Sequence, residues 1–181
     1  MKVSFLFRER RCRLDIQTHY ANSKLLKGQL AEKEKFEAFV GEKKKDFYLK
    51  KWQKDNSWNW AACLLTIFWL GYRKMLKSVV YIILGFLVID IIILFIGIDG
   101  AAISRGLGYG LAGALGITGN MFYRKHAEKQ VQEVNQLSVS EEEKMHELRK
   151  RGGTSGKGAL LAVLMFLGYL AITLGLTLTF A

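Results

Sequence analysis

The sequence predicts an all-α, polytopic membrane protein. Three observations point there. Apolar residues gather into blocks separated by charged blocks, with little mixing. Two of those blocks reach the roughly 20 residues that a helix needs to cross a hydrocarbon core about 30 Å thick. The 27 Lys and Arg, against 16 Asp and Glu, lie mainly between the blocks. The resulting charge of +11 attracts anions. Beside such apolar blocks the anionic headgroups of a lipid bilayer are the better partner. Nucleic acid is the poorer one, because no base-reading motif accompanies the charge.

The region 1–57 carries 15 Lys or Arg and eight Asp or Glu. From Lys24 to Lys54, Leu26, Leu30, Phe36, Phe39, Val40, Phe47, Tyr48 and Trp52 recur at helical spacing opposite a lysine-rich face. Such a basic amphipathic helix either lies on an anionic membrane surface or packs on the protein's own cytosolic part. The short apolar stretch before the first arginine cluster reverses the order of a secretory signal, so insertion is expected from internal segments. Asp55, Asn56 and Ser57 then offer a helix cap.

Residues 58–72 are apolar and rich in aromatics, but at 15 residues they make only about 22 Å of helix. Trp52, Trp58, Trp60, Trp69 and Tyr72 are expected as interface anchors, with Arg73 and Lys74. Positive charge flanks both ends, and positive residues mark the cytoplasmic side. The segment is therefore expected to enter and return, or to lie at the interface. The alternative, that it crosses, gives four transmembrane helices instead of three.

The three expected spans are 79–98, 106–123 and the last segment, 158–181, joined by a cytosolic helical segment at 124–157. This puts the N-terminus in the cytosol of a bacterial inner membrane. In the second span, Gly106 and Gly110 form a GxxxG pair and Gly116 extends a small-residue stripe, a pattern that brings helix backbones together in lipid. Ser140 with Glu143 forms a capping box, and Arg149, Lys150 and Arg151 suit the far end of a helix over 141–151.

Chemistry is sparse. Residues 152–158 invite a phosphate-loop reading, but Arg151 and Gly158 stand where the motif needs Gly and Ser or Thr. A hinge into the last span is the expectation. Cys12, Cys63 and the three histidines lack metal-site spacing, so no metal or cofactor is expected. Asn120, Tyr123 and His126 share one helix face at the cytosolic mouth, suiting a hydrogen-bonded cluster or a headgroup site. Asp90 lies within a span, where an ionised carboxylate costs roughly 2.5 to 3.5 kcal/mol. Counting depth from the basic ends gives it Tyr169 or Thr173 as neighbours on the last span, and residues 113–116 on the glycine span.

The blocks FVGEKKKDFYLKKWQK (39–54), WNWAACLLTIFWLGYRKM (58–75), GNMFYRKHAEK (119–129) and RGGTS (151–155) resemble the YigF-like bacterial membrane family of unknown function. The resemblance implies a bacterial cytoplasmic-membrane protein and supplies no activity. It also implies a Gly-Pro break inside the aromatic stretch, where this chain has Thr66-Ile67, which makes a dip-and-return shape less secure here. The first expectation for function is a non-enzymatic adaptor or accessory protein, binding a protein partner, a second copy or anionic lipid through basic cytosolic surfaces. The alternative is a small channel or transporter component using Asp90 and the glycine-rich span.

Overall fold

The computed structural model describes residues 25–54, 57–98 and 100–180. Expectations for Cys12, His19, Asp55 and Asn56 fall outside them. The described residues form seven helices and no strand. They are α1 (25–40), α2 (Lys45–Trp52), α3 (Trp60–Tyr72), α4 (Leu76–Ile96), α5 (Ala101–Asn135), α6 (Glu141–Arg151) and α7 (Gly156–Phe180).

The helical repeat over 24–54 resolves into two helices because the chain turns at Gly41, whose φ of +87° suits glycine. Further on, Asn59 caps α3, its side chain accepting from the Ala62 N–H at 3.0 Å. The cap thus falls later than residues 55–57, and the Ser57 hydroxyl instead donates to the Lys51 carbonyl.

α3 is broken in the middle. Thr66 has φ +43° and ψ −113°, outside any helical region and rare for a β-branched residue. A straight helix of 13 residues would separate its ends by about 20 Å. Yet Asn59, at one end, donates to Asn120 of α5, and Trp69 and Arg73, at the other, lie against Tyr123. Asn120 and Tyr123 are about 4.5 Å apart along α5. Thr66 itself lines a cavity with Gly108 and Leu111, farther along the bundle. The helix therefore goes in, reverses at Thr66 and comes back. The break forms without the Gly-Pro pair, at the position where the resemblance places it.

This wedge is the hub of the fold, packing against α5, α7 and α4. Small residues allow the approach. A Cβ on Gly116 would meet Trp58 at 2.7 Å, and one on Gly119 would meet Ala62 at 2.8 Å. Gly71 lies as close to Gly158 and Ala162 of α7. Gly106 and Gly110, by contrast, face open space among the described residues, so the predicted GxxxG pair joins no helices there. The close contact uses Gly116 and Gly119 because the wedge, at that level, occupies the flank of α5.

Among the described residues, two helices are long and apolar enough to cross a membrane: Leu76–Ile96 and Gly156–Thr179, with mean hydropathy 3.1 and 2.4. The expected third, 106–123, is the middle of the 35-residue α5. Its six glycines, Thr118 and Asn120 dilute its apolar character. α4 and α7 start at the end of the bundle where α1, α2 and α6 gather, hereafter the basic end, and α5 runs back to it. The stretch 152–158 is docked there, not hinge-like: the Gly153 N–H donates to Phe39 and the Ser155 N–H to Tyr72.

Holding a threonine at positive φ costs about 1–3 kcal/mol. Thr66→Gly is therefore expected to raise the unfolding temperature of the purified protein, in line with a gain of about 1 kcal/mol. A lowered one would mean that the break is not a strained point.

Candidate functional site

The residues that the wedge brings to the basic end form an aromatic cage around one cation. Arg73 follows directly on α3 and is only 4 % exposed. Its guanidinium carbon lies 4.4 Å from the ring centre of Tyr48 on α2 and 4.9 Å from that of Tyr123 on α5. Around Tyr123 stand Tyr48 (5.0 Å), Trp52 (5.6 Å), Phe39 (6.0 Å) and Trp69 (6.2 Å), drawn from α1, α2 and the wedge's return arm. No carboxylate pairs with Arg73 among the described residues. Trp52 Nε1, Arg73 Nε and Nη1 and Tyr123 Oη are all buried without a hydrogen-bond partner. The ring faces compensate the charge in place of an anion, and a desolvated cation–π contact contributes about 2 kcal/mol. The enclosed cage is a clamp holding α1 and α2 onto the wedge.

Beside the cage the polar groups are satisfied. Asn120 accepts from Asn59 at 2.9 Å and donates to the Ser57 carbonyl and hydroxyl at 2.8 and 2.9 Å. His126 lies edge-on to Phe39, and burial holds its imidazole below the usual value of 6.5. The Asn120, Tyr123 and His126 face is thus one surface with two jobs, a hydrogen-bonded anchor and an aromatic clamp.

Several residues expected at a lipid interface lie elsewhere. Trp52, Trp69 and Arg73 are buried in the cage, because the cover of α1 and α2 lies over them. Trp58, Trp60 and Tyr72 are exposed. Lys74, at φ +61°, sends its ammonium to the Lys150 carbonyl at 2.7 Å, and burial lowers its pKa.

A second constellation lies toward the opposite end. Tyr169 donates to one carboxylate oxygen of Asp90 at 2.5 Å, and Ser104 donates to the other at 3.3 Å. Thr173 lines the same cavity of about 470 Å³ but donates to the Leu170 carbonyl. Asp90 thus meets α5 at Ser104, not at residues 113–116, because both lie within about two turns of the short connection between α4 and α5. Ser104 and Tyr169, which hold Asp90, line both this cavity and a second of about 450 Å³ that reaches Thr66.

Outside the cage, α2, Ser57 and α5 enclose a groove of about 470 Å³ bordered by Lys51, Lys54, Arg124 and Lys125. Sequence reading missed it, since its two walls are some 70 residues apart. No group of three His, Cys, Asp or Glu able to hold a metal occurs among the described residues.

Residues 23–129 match the model of a family described as protein of unknown function (DUF2628). The chain belongs to that family. The DUF2628 match covers the described part of α1, α2, the wedge, α4 and α5 as far as Lys129, and so the whole cage and all four groove cations. Tyr169, the partner of Asp90, lies outside it. No curated protein and no solved structure matches the chain.

Since Tyr123 acts through its ring, and its hydroxyl has only the Arg73 guanidinium beside it among the described residues, Tyr123→Phe is expected to change stability little. Tyr123→Ala, which empties the cage, is expected to cost about 3–5 kcal/mol. Denaturant unfolding of the two variants checks this, and equal losses would contradict the clamp.

Proposed function

We propose that this DUF2628 protein is a non-enzymatic integral membrane protein that presents a basic helical platform, on the cytosolic side, to anionic lipid and to a protein partner. The observation that carries the reading is the reversal at Thr66. It returns both ends of the wedge to the basic end and clamps α1 and α2 there. α4, α5 and α7 then make the three crossings, α5 doing so as part of a bundle despite its glycines. The finer kinship with YigF-like bacterial inner-membrane proteins belongs to the same reading, as three of its four blocks lie inside the family match.

The platform's surface supports it. Leu25, Leu26 and Leu30 of α1 are more than half exposed, as is Phe47 of α2, whose ring lies under the ammonium groups of Lys44 and Lys51. Exposed apolar side chains among lysines suit the boundary of an anionic membrane. A second reading, a channel or transporter component, is favoured by one observation: Asp90 is held by Ser104 and Tyr169, which line two cavities.

One reconstitution separates them. In vesicles of phosphatidylglycerol the protein is expected to unfold at a higher temperature than in phosphatidylcholine. The gain should shrink in high salt and in Lys43→Gln/Lys44→Gln/Lys50→Gln. An equal unfolding temperature in both lipids would contradict the platform. A cation flux lost in Asp90→Asn would establish the second reading.

A further inference from the structure

The groove between α2 and α5 differs in kind from the rest of the basic surface. Four cations border it: Lys51, Lys54, Arg124 and Lys125. Among the described residues Glu128 is its only carboxylate, and that group already pairs with Arg124 Nε at 2.8 Å. Arg124 Nη1 is fixed on the Trp52 carbonyl at 2.9 Å and Lys51 Nζ on the Trp58 carbonyl at 3.2 Å, so both cations are anchored by backbone. Lys54 and Lys125 are exposed, and their ammonium groups make no hydrogen bond or ion pair among the described residues. A net positive concavity with two held and two uncommitted cations fits a phosphate group.

The other wall identifies what carries the phosphate. Ile117 and Met121, two turns and one turn before Arg124 and Lys125 on α5, line the groove and are about half exposed. They lead from the cationic rim toward the apolar part of the bundle, where Trp58 and Trp60 are also exposed. A free phosphate has no use for that wall, whereas a phospholipid places its headgroup on the rim and its acyl chains along Ile117. We propose that this groove is a binding site for one anionic phospholipid, its phosphate held by Lys51, Lys54, Arg124 and Lys125. The proposal rests on the membrane reading given above and narrows it to one place.

Native mass spectrometry of the full chain in detergent, titrated with phosphatidylglycerol, phosphatidylcholine or inorganic phosphate, tests it. The wild type is expected to retain one phosphatidylglycerol in preference to phosphatidylcholine. Lys54→Gln/Lys125→Gln should weaken that retention roughly thirtyfold, each cation contributing about a factor of five. Lys43→Gln/Lys44→Gln, an equal charge change outside the groove, should leave it within about twofold. Equal weakening by the two pairs would overturn the groove and leave the platform standing. No preference for the anionic lipid would overturn both. Displacement of the lipid by millimolar inorganic phosphate would overturn a lipid ligand in favour of the free anion.

Discussion

The contact of the Arg73 guanidinium with the paired rings of Tyr48 and Tyr123 is the one on which the remaining architecture depends. It joins three elements distant in sequence, the return arm of α3, the short helix α2 and the long helix α5. A buried guanidinium without an anion is costly, and removing its aromatic partners leaves that cost uncompensated. Once Arg73 is fixed beside Tyr123, the end of α3 is fixed at the same level as its beginning, which Asn59 ties to Asn120. A helix held at one level by both ends has to break.

The break creates a further requirement. Unpaired backbone polar groups at a depth without water survive only where protein surrounds them or a cavity serves them. The wedge meets this by burying Ile67, Trp69, Leu70 and Gly71, with α5 on one flank and α7 on the other. Glycines at 71, 116, 119 and 158 set how closely those flanks approach. The space left beyond the tip is the pair of cavities that Ser104 and Tyr169 both line. The wedge thus shapes both ends of the molecule, a closed aromatic clamp at one and a cleft at the other.

What could be read from sequence follows the range of the forces involved. The capping box at Ser140 and Glu143 is local, and α6 runs over Glu141–Arg151 as its rules require. Length and flanking charge set residues 58–72 apart from the full-length apolar helices, but the chemistry of the break was not legible: it occurs at a threonine, held by contacts at both ends of the wedge. Depth counting brought Tyr169 to Asp90 but misplaced α5, because it started the helix near residue 123, whereas α5 runs on to Asn135 and its register against α4 is set by the short connection at 97–100. Trp52, Trp69 and Arg73 read as interface anchors by residue type; only the cover of α1 and α2 turns them into core. The basic groove needs Lys51, Lys54 and Ser57 to meet residues 117–128, which no local pattern encodes.

The central claim is that the wedge enters and leaves on one side. Single cysteines at Lys54 and Lys77, in a chain with Cys12 and Cys63 replaced by serine, bracket it. In sealed vesicles of uniform orientation, a membrane-impermeant maleimide should label both positions from the same side. Labelling of the two from opposite sides would mean that residues 58–72 cross, and would contradict the fold described above.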